Sequence, residues 1–75
     1  MTVADIVRMA NQISGFFAAY PHDDAVRETA THLRNFWDPR MRSQLSAHLA
    51  TGGEGLSEIA LEAARSLEHG AEAGP

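Results

Sequence analysis

A chain of 75 residues with no cysteine has room for one small domain, with neither a disulfide nor thiolate-bound metal to staple it. A fold of that size buries only about 60 % of the surface its unfolded form exposes, so further stability has to come from close helix packing or, the favoured source, from a partner. Ten acidic residues against six basic ones leave a formal charge of −4, which argues against nucleic acid, and no run approaches the roughly 20 apolar residues of a membrane span.

Thr2 followed by Asp5 has the form of a capping box and opens a first helix expected to run to about Ala19. Its apolar positions are Val3, Ile6, Val7, Met9, Ala10, Ile13, Phe16 and Phe17; Tyr20 follows, and Pro21 ends it. A second helix starts at Pro21 or His22, with Asp23, Asp24 and Glu28 near its positive end and Val26, Ala30, Leu33 and Trp37 as its stripe. The third runs from Pro39 to about Ala50 with Met41, Leu45 and Leu49 at i, i+4 spacing, and Gly52-Gly53 stops it. Ser57 caps a fourth helix carrying Ile59, Ala60, Ala63 and Leu67, with Leu56 beside the cap. No stretch alternates with period 2. The fold class is therefore all-α: a small bundle of three to four short helices, a single domain over residues 1–69, with 70–75 as a flexible, disordered C-terminal tail.

The first helix carries more apolar surface than one core needs. At about 100° per residue, Val3, Val7, Ala10, Phe17, Ile6 and Ile13 fill one arc. Met9, Phe16 and Tyr20 widen it to roughly half the circumference. That surplus shoulder is covered either by another helix of the chain or by a partner, and in an isolated chain it allows self-association.

The run Asn35-Phe36-Trp37-Asp38-Pro39-Arg40-Met41-Arg42 reads as a corner between the second and third helices. Pro39 biases Asp38 away from helical geometry, ending what precedes it. Asp38 can then cap a new helix that has Pro39 at its first position. An aromatic anchor flanked by Arg34, Arg40 and Arg42 has the composition of a protein–protein hot spot. Trp37 is expected to face inward and the Arg side chains outward. Met9, Phe16, Tyr20, Arg34, Phe36, Trp37, Asp38, Arg40 and Arg42 form the candidate partner-binding set.

Other constellations point to no chemistry. Glu28 and His32 share a helix face, but His22 and His48 could join them only through a tertiary approach, and no HExxH is present. No metal site is expected. None of Ser14, Ser43, Ser46, Ser57 and Ser66 sits in a GxSxG-like turn. The pairs Asp23-Asp24 and Glu58-Glu62 complement helix N-termini. Gly52-Gly53-Glu54-Gly55 follows no strand and reads as a helix–helix connection. No catalytic or cofactor-binding residue is expected, and so no enzyme in its own right.

Two segments carry a family resemblance. Ile6-Val7-Arg8-Met9-Ala10-Asn11-Gln12-Ile13 with Phe16-Phe17 is one. His32-Leu33-Arg34-Asn35-Phe36-Trp37-Asp38-Pro39-Arg40-Met41-Arg42, continuing through Leu45, His48-Leu49 and Gly52-Gly53-Glu54-Gly55-Leu56, is the other. Over residues from about 5 to 67 the chain resembles the delta subunit of NAD-dependent, molybdenum-containing formate dehydrogenases, although Glu58 stands where the family pattern has Pro. The resemblance implies a non-catalytic subunit of a cytoplasmic complex that oxidises formate to carbon dioxide and reduces NAD. It implies that the large catalytic subunit carries bis-molybdopterin guanine dinucleotide and iron–sulfur clusters, that FMN is bound by partner subunits, and that this chain holds no cofactor. It further implies docking on the large subunit in support of assembly, stability or cofactor maturation. Two other readings stay open: an insertion factor whose Arg cluster holds the molybdenum cofactor's phosphates, and a small regulatory or nucleic-acid-binding helical protein.

Overall fold

The computed structural model describes residues 1–68, so His69 and the tail expected over 70–75 lie outside the described residues. Four helices follow one another: α1 (Val3–Phe17), α2 (His22–Phe36), α3 (Pro39–Ala50) and α4 (Glu58–Glu68). No strand occurs among the described residues, and none of their helices is long and apolar enough to cross a membrane.

Local chemistry sets most of the boundaries. The Thr2 hydroxyl accepts the Asp5 N–H at 3.2 Å, and the Asp5 carboxylate accepts the Thr2 N–H at 3.0 Å, closing the capping box. That backbone N–H of Thr2, followed by the Arg8 guanidinium, holds the Asp5 carboxyl below its ordinary range. α1 stops at Phe17, two residues short of the expected Ala19. There the Ala18 N–H turns to the Gly15 carbonyl and the Tyr20 N–H to the Phe17 carbonyl, tightening the chain ahead of Pro21. At the α3–α4 connection Gly53 is buried with φ +68°, and a Cβ there would lie 2.7 Å from Leu61 Cδ1. Both the backbone and the space exclude a side chain. The Ser57 hydroxyl accepts the Ala60 N–H at 3.1 Å and caps α4.

The core is built from few large side chains and many small ones. Ile6, Leu33, Trp37 and Leu45 pack with Ala10, Ala30, Ala60, Ala63 and Ala64, and Met9, Ile13, Val26, Met41, Leu49, Leu56 and Leu67 close over them. α2 and α4 make the most extensive helix pair. The buried face of α4 is Ala60, Ala63 and Ala64, whereas Ile59, expected on that stripe, is only half-buried. α2 buries Ala25 and Thr29 besides the expected Ala30 and Leu33. Small residues can occupy these positions because they let two helices approach closely.

A polar latch ties α1 to the α3–α4 connection. Asn11 donates from Nδ2 to the Gly55 carbonyl at 2.9 Å and accepts the Ser57 N–H at Oδ1, at 2.8 Å. Buried Ser14 lies beside it: its hydroxyl donates to the Asn11 carbonyl and sits 2.9 Å from the Ser57 hydroxyl. The α4 cap is thus positioned by α1. In contrast, Thr29 is fully buried and its Oγ1 has no hydrogen-bond partner among the described residues.

Two substitutions test this account in opposite directions. Asn11→Ala removes both anchors of the connection and should cost about 1–2 kcal/mol, seen as a fall of several degrees in the thermal unfolding midpoint. Thr29→Val replaces an unpaired buried hydroxyl with a methyl of the same shape and should raise stability by about 1 kcal/mol, with far-UV circular dichroism unchanged.

Candidate partner interface

The corner forms as its residue types dictate. Trp37 leaves α2 in extended geometry (φ −89°, ψ 135°), with its N–H still bonded to the Leu33 carbonyl. Asp38 is also extended, and its carboxylate accepts the Met41 N–H at 2.8 Å, with Pro39 opening α3. The two helices are therefore joined by only Trp37 and Asp38. Trp37 turns into the core and is 6 % exposed, as expected from the sequence.

Trp37 also contributes to the lining of a groove. A depression of about 450 Å³ between α1 and α2 is lined by Met9, Gln12, Ile13, Phe16, Phe17, His32 and Trp37. Phe16 is exposed in its lining, and two further exposed rings, Tyr20 and Phe36, pack against the lining residues Phe17 and His32. Phe16 is 76 % exposed, Phe36 72 % and Tyr20 50 %. On the α1 side, the rings of Phe16 and Phe17 meet edge to face at 5.0 Å between centroids, and those of Phe17 and Tyr20 at 5.7 Å. On the α2 side, His32 and Phe36 lie 4.7 Å apart in a tilted stack. Such contacts hold the rings in place without covering them. Large exposed rings gathered around one hollow are a feature of contact surfaces.

The other candidate residues are distributed as follows. Asp38 serves as the α3 cap. Arg34 and Arg40 are exposed at the corner. Arg42 lines a different hollow, about 380 Å³ between α3 and α4, with Ser43, Leu49, Leu67 and Glu68 among its neighbours. The ion pairs among the described residues are Arg8–Asp5, Arg27–Asp24 and His22–Glu62. Arg34, Arg40 and Arg42 have none there, so in an acidic chain the corner keeps its positive charge facing outward.

A family model for the NADH-dependent formate dehydrogenase delta subunit FdsD matches residues 5–64. The chain belongs to the FdsD family. No curated protein and no solved structure matches it. The FdsD match spans every residue of the aromatic groove and of the corner.

One polar set in this FdsD-family chain is invisible to sequence spacing. His22, at the start of α2, reaches Glu62 of α4, with Nε2 2.9 Å from Oε2, and Glu58 lies alongside. The signal available in the sequence was the i, i+4 pair Glu58 and Glu62; that His22 would meet it depends on how α2 and α4 pack. The Glu62 hydrogen bond, then the charges of Glu62, Glu58 and Asp23, hold the His22 imidazole above its ordinary value. The stability from this pairing is complete while His22 is protonated in both states, below its unfolded value, and is lost as pH rises through the raised folded value. Glu62→Gln should accordingly destabilise the chain more at pH 6 than at pH 8.5. Chemical denaturation of both proteins at the two pH values checks this; an equal difference at both would remove His22 from the account.

Proposed function

We propose that this FdsD-family chain is a non-catalytic accessory (delta) subunit of a cytoplasmic NAD-dependent formate dehydrogenase. In this reading it docks on the large molybdenum-containing subunit and supports its assembly, stability or cofactor maturation. The observation that carries the reading is the family match over residues 5–64. The aromatic groove supports it, because a chain with a core this small keeps three of its large rings outside. Covering Phe16 and Phe36 on a partner removes apolar surface worth about 2 kcal/mol per ring. The partner surface that fits is an apolar projection able to enter between Met9, Phe16 and Trp37, flanked by carboxylates that meet Arg34 and Arg40. Tyr20 extends the apolar contact along α1, and Arg42 continues the positive edge onto α3. Asp38 and Trp37 act by holding the corner in shape. The chain supplies contact surface, and the redox cofactors and the formate chemistry belong to the other subunits.

Co-expression with a tagged large subunit tests the surface. The double variant Phe16→Ala/Phe36→Ala should lower the amount co-purified at least about tenfold, with helicity unchanged by circular dichroism. Arg40→Ala/Arg42→Ala should give a smaller loss that grows with ionic strength. Full co-purification by both variants would exclude this face as the contact.

A further inference from the structure

Away from the groove, the fold gathers metal-ligating side chains at the N-terminal ends of α2 and α4. One donor atom from each of His22, Glu58 and Glu62 lies within 4.8 Å of the other two. His22 Nε2 and Glu62 Oε2 stand 2.9 Å apart. Two ligands that each stand about 2.1 Å from one tetrahedral ion are about 3.4 Å apart. The imidazole and the Glu62 carboxylate, now at hydrogen-bond distance, therefore have to separate by only about 0.5 Å to close on an ion. Glu58 and Glu62 are four residues apart on α4 and project from one face, so the two carboxylates converge without backbone movement. All three side chains are exposed, which leaves the far side of an ion open to water ligands.

Charge favours a cation there. Glu62, Glu58 and Asp23 all act on the His22 imidazole. Arg27, the only Arg on the first half of α2, is committed to Asp24 at 2.6 Å. Among the described residues neither Glu58 nor Glu62 is paired with an Arg.

We propose that His22, Glu58 and Glu62 form a surface site for a divalent transition-metal ion, one imidazole nitrogen and two carboxylate oxygens closing on it from two helices. The imidazole selects Zn²⁺ over Mg²⁺ and Ca²⁺, which prefer all-oxygen shells. Two helix N-termini point partial positive charge toward the same place, which weakens the binding. The ligands come from separate helices and meet only in the folded chain. Bound Zn²⁺ therefore stabilises the fold, and because it needs a neutral imidazole it binds more weakly as pH falls. The competing account makes the trio a hydrogen-bonded clasp whose carboxylates only complement the α4 N-terminus.

Titration calorimetry and thermal unfolding of the chelator-treated chain at pH 7.5 separate the two. The site predicts about one Zn²⁺ bound per chain, a midpoint that rises with ZnCl₂ and does not move with MgCl₂, and weaker binding near pH 5.5. His22→Ala, Glu58→Gln and Glu62→Gln should each reduce affinity at least about tenfold. His32→Ala, which breaks the other i, i+4 pair, should leave it unchanged. The proposal is overturned if Zn²⁺ does not bind at millimolar concentration, or if binding survives the Glu58→Gln/Glu62→Gln double variant with circular dichroism showing a folded chain.

Discussion

Because Ala30 of α2 packs in one cluster with Ala60, Ala63 and Ala64 of α4, these two helices can pack closely and leave little volume for large side chains between them. That constraint decides where the rest of the chain goes. Ile6, Leu33, Trp37 and Leu45 fill the volume that remains, and the rings of Phe16, Tyr20 and Phe36 find no place inside. The α2–α4 contact also brings His22 to Glu62, so the one ion pair that joins two helices among the described residues follows from the same packing.

What was legible in the sequence was mostly short-range. Thr2 with Asp5, Asp38 before Pro39, Ser57, and Gly52-Gly53 each act within a few residues, so their types alone specify where helices begin and end. The burial of Trp37 was also readable, because it continues the stripe of Val26, Ala30 and Leu33. The surplus arc of α1 pointed to Met9 and Phe16, and both line the groove. What stayed hidden was long-range. Asn11 meets Gly55 and Ser57 across 44 and 46 residues, and His22 meets Glu62 across 40. No local periodicity encodes those meetings; they are consequences of helix packing. The burial of Thr29 and Ser14 was missed for a related reason, since a small polar side chain looks the same in sequence whether it faces a helix or water.

Polarity is unevenly distributed over the surface. The acidic side chains Asp23, Glu58 and Glu62 stand close to one another where α2 and α4 begin. Arg34 and Arg40, which make no ion pair among the described residues, stand where α2 ends and α3 begins. The net charge of −4 is thus an average over two unlike regions. Such a division of charge would draw an acidic segment toward one region and repel it from the other.

Trp37 is the sole tryptophan, it is nearly closed off from water, and it contributes to the lining of the groove. Indole emission depends on the polarity of its surroundings, so this placement gives the subunit an internal optical probe at the point where a partner would enter. Occupation of the groove, loss of the corner and global unfolding would each change that light in a different way, without a label being attached.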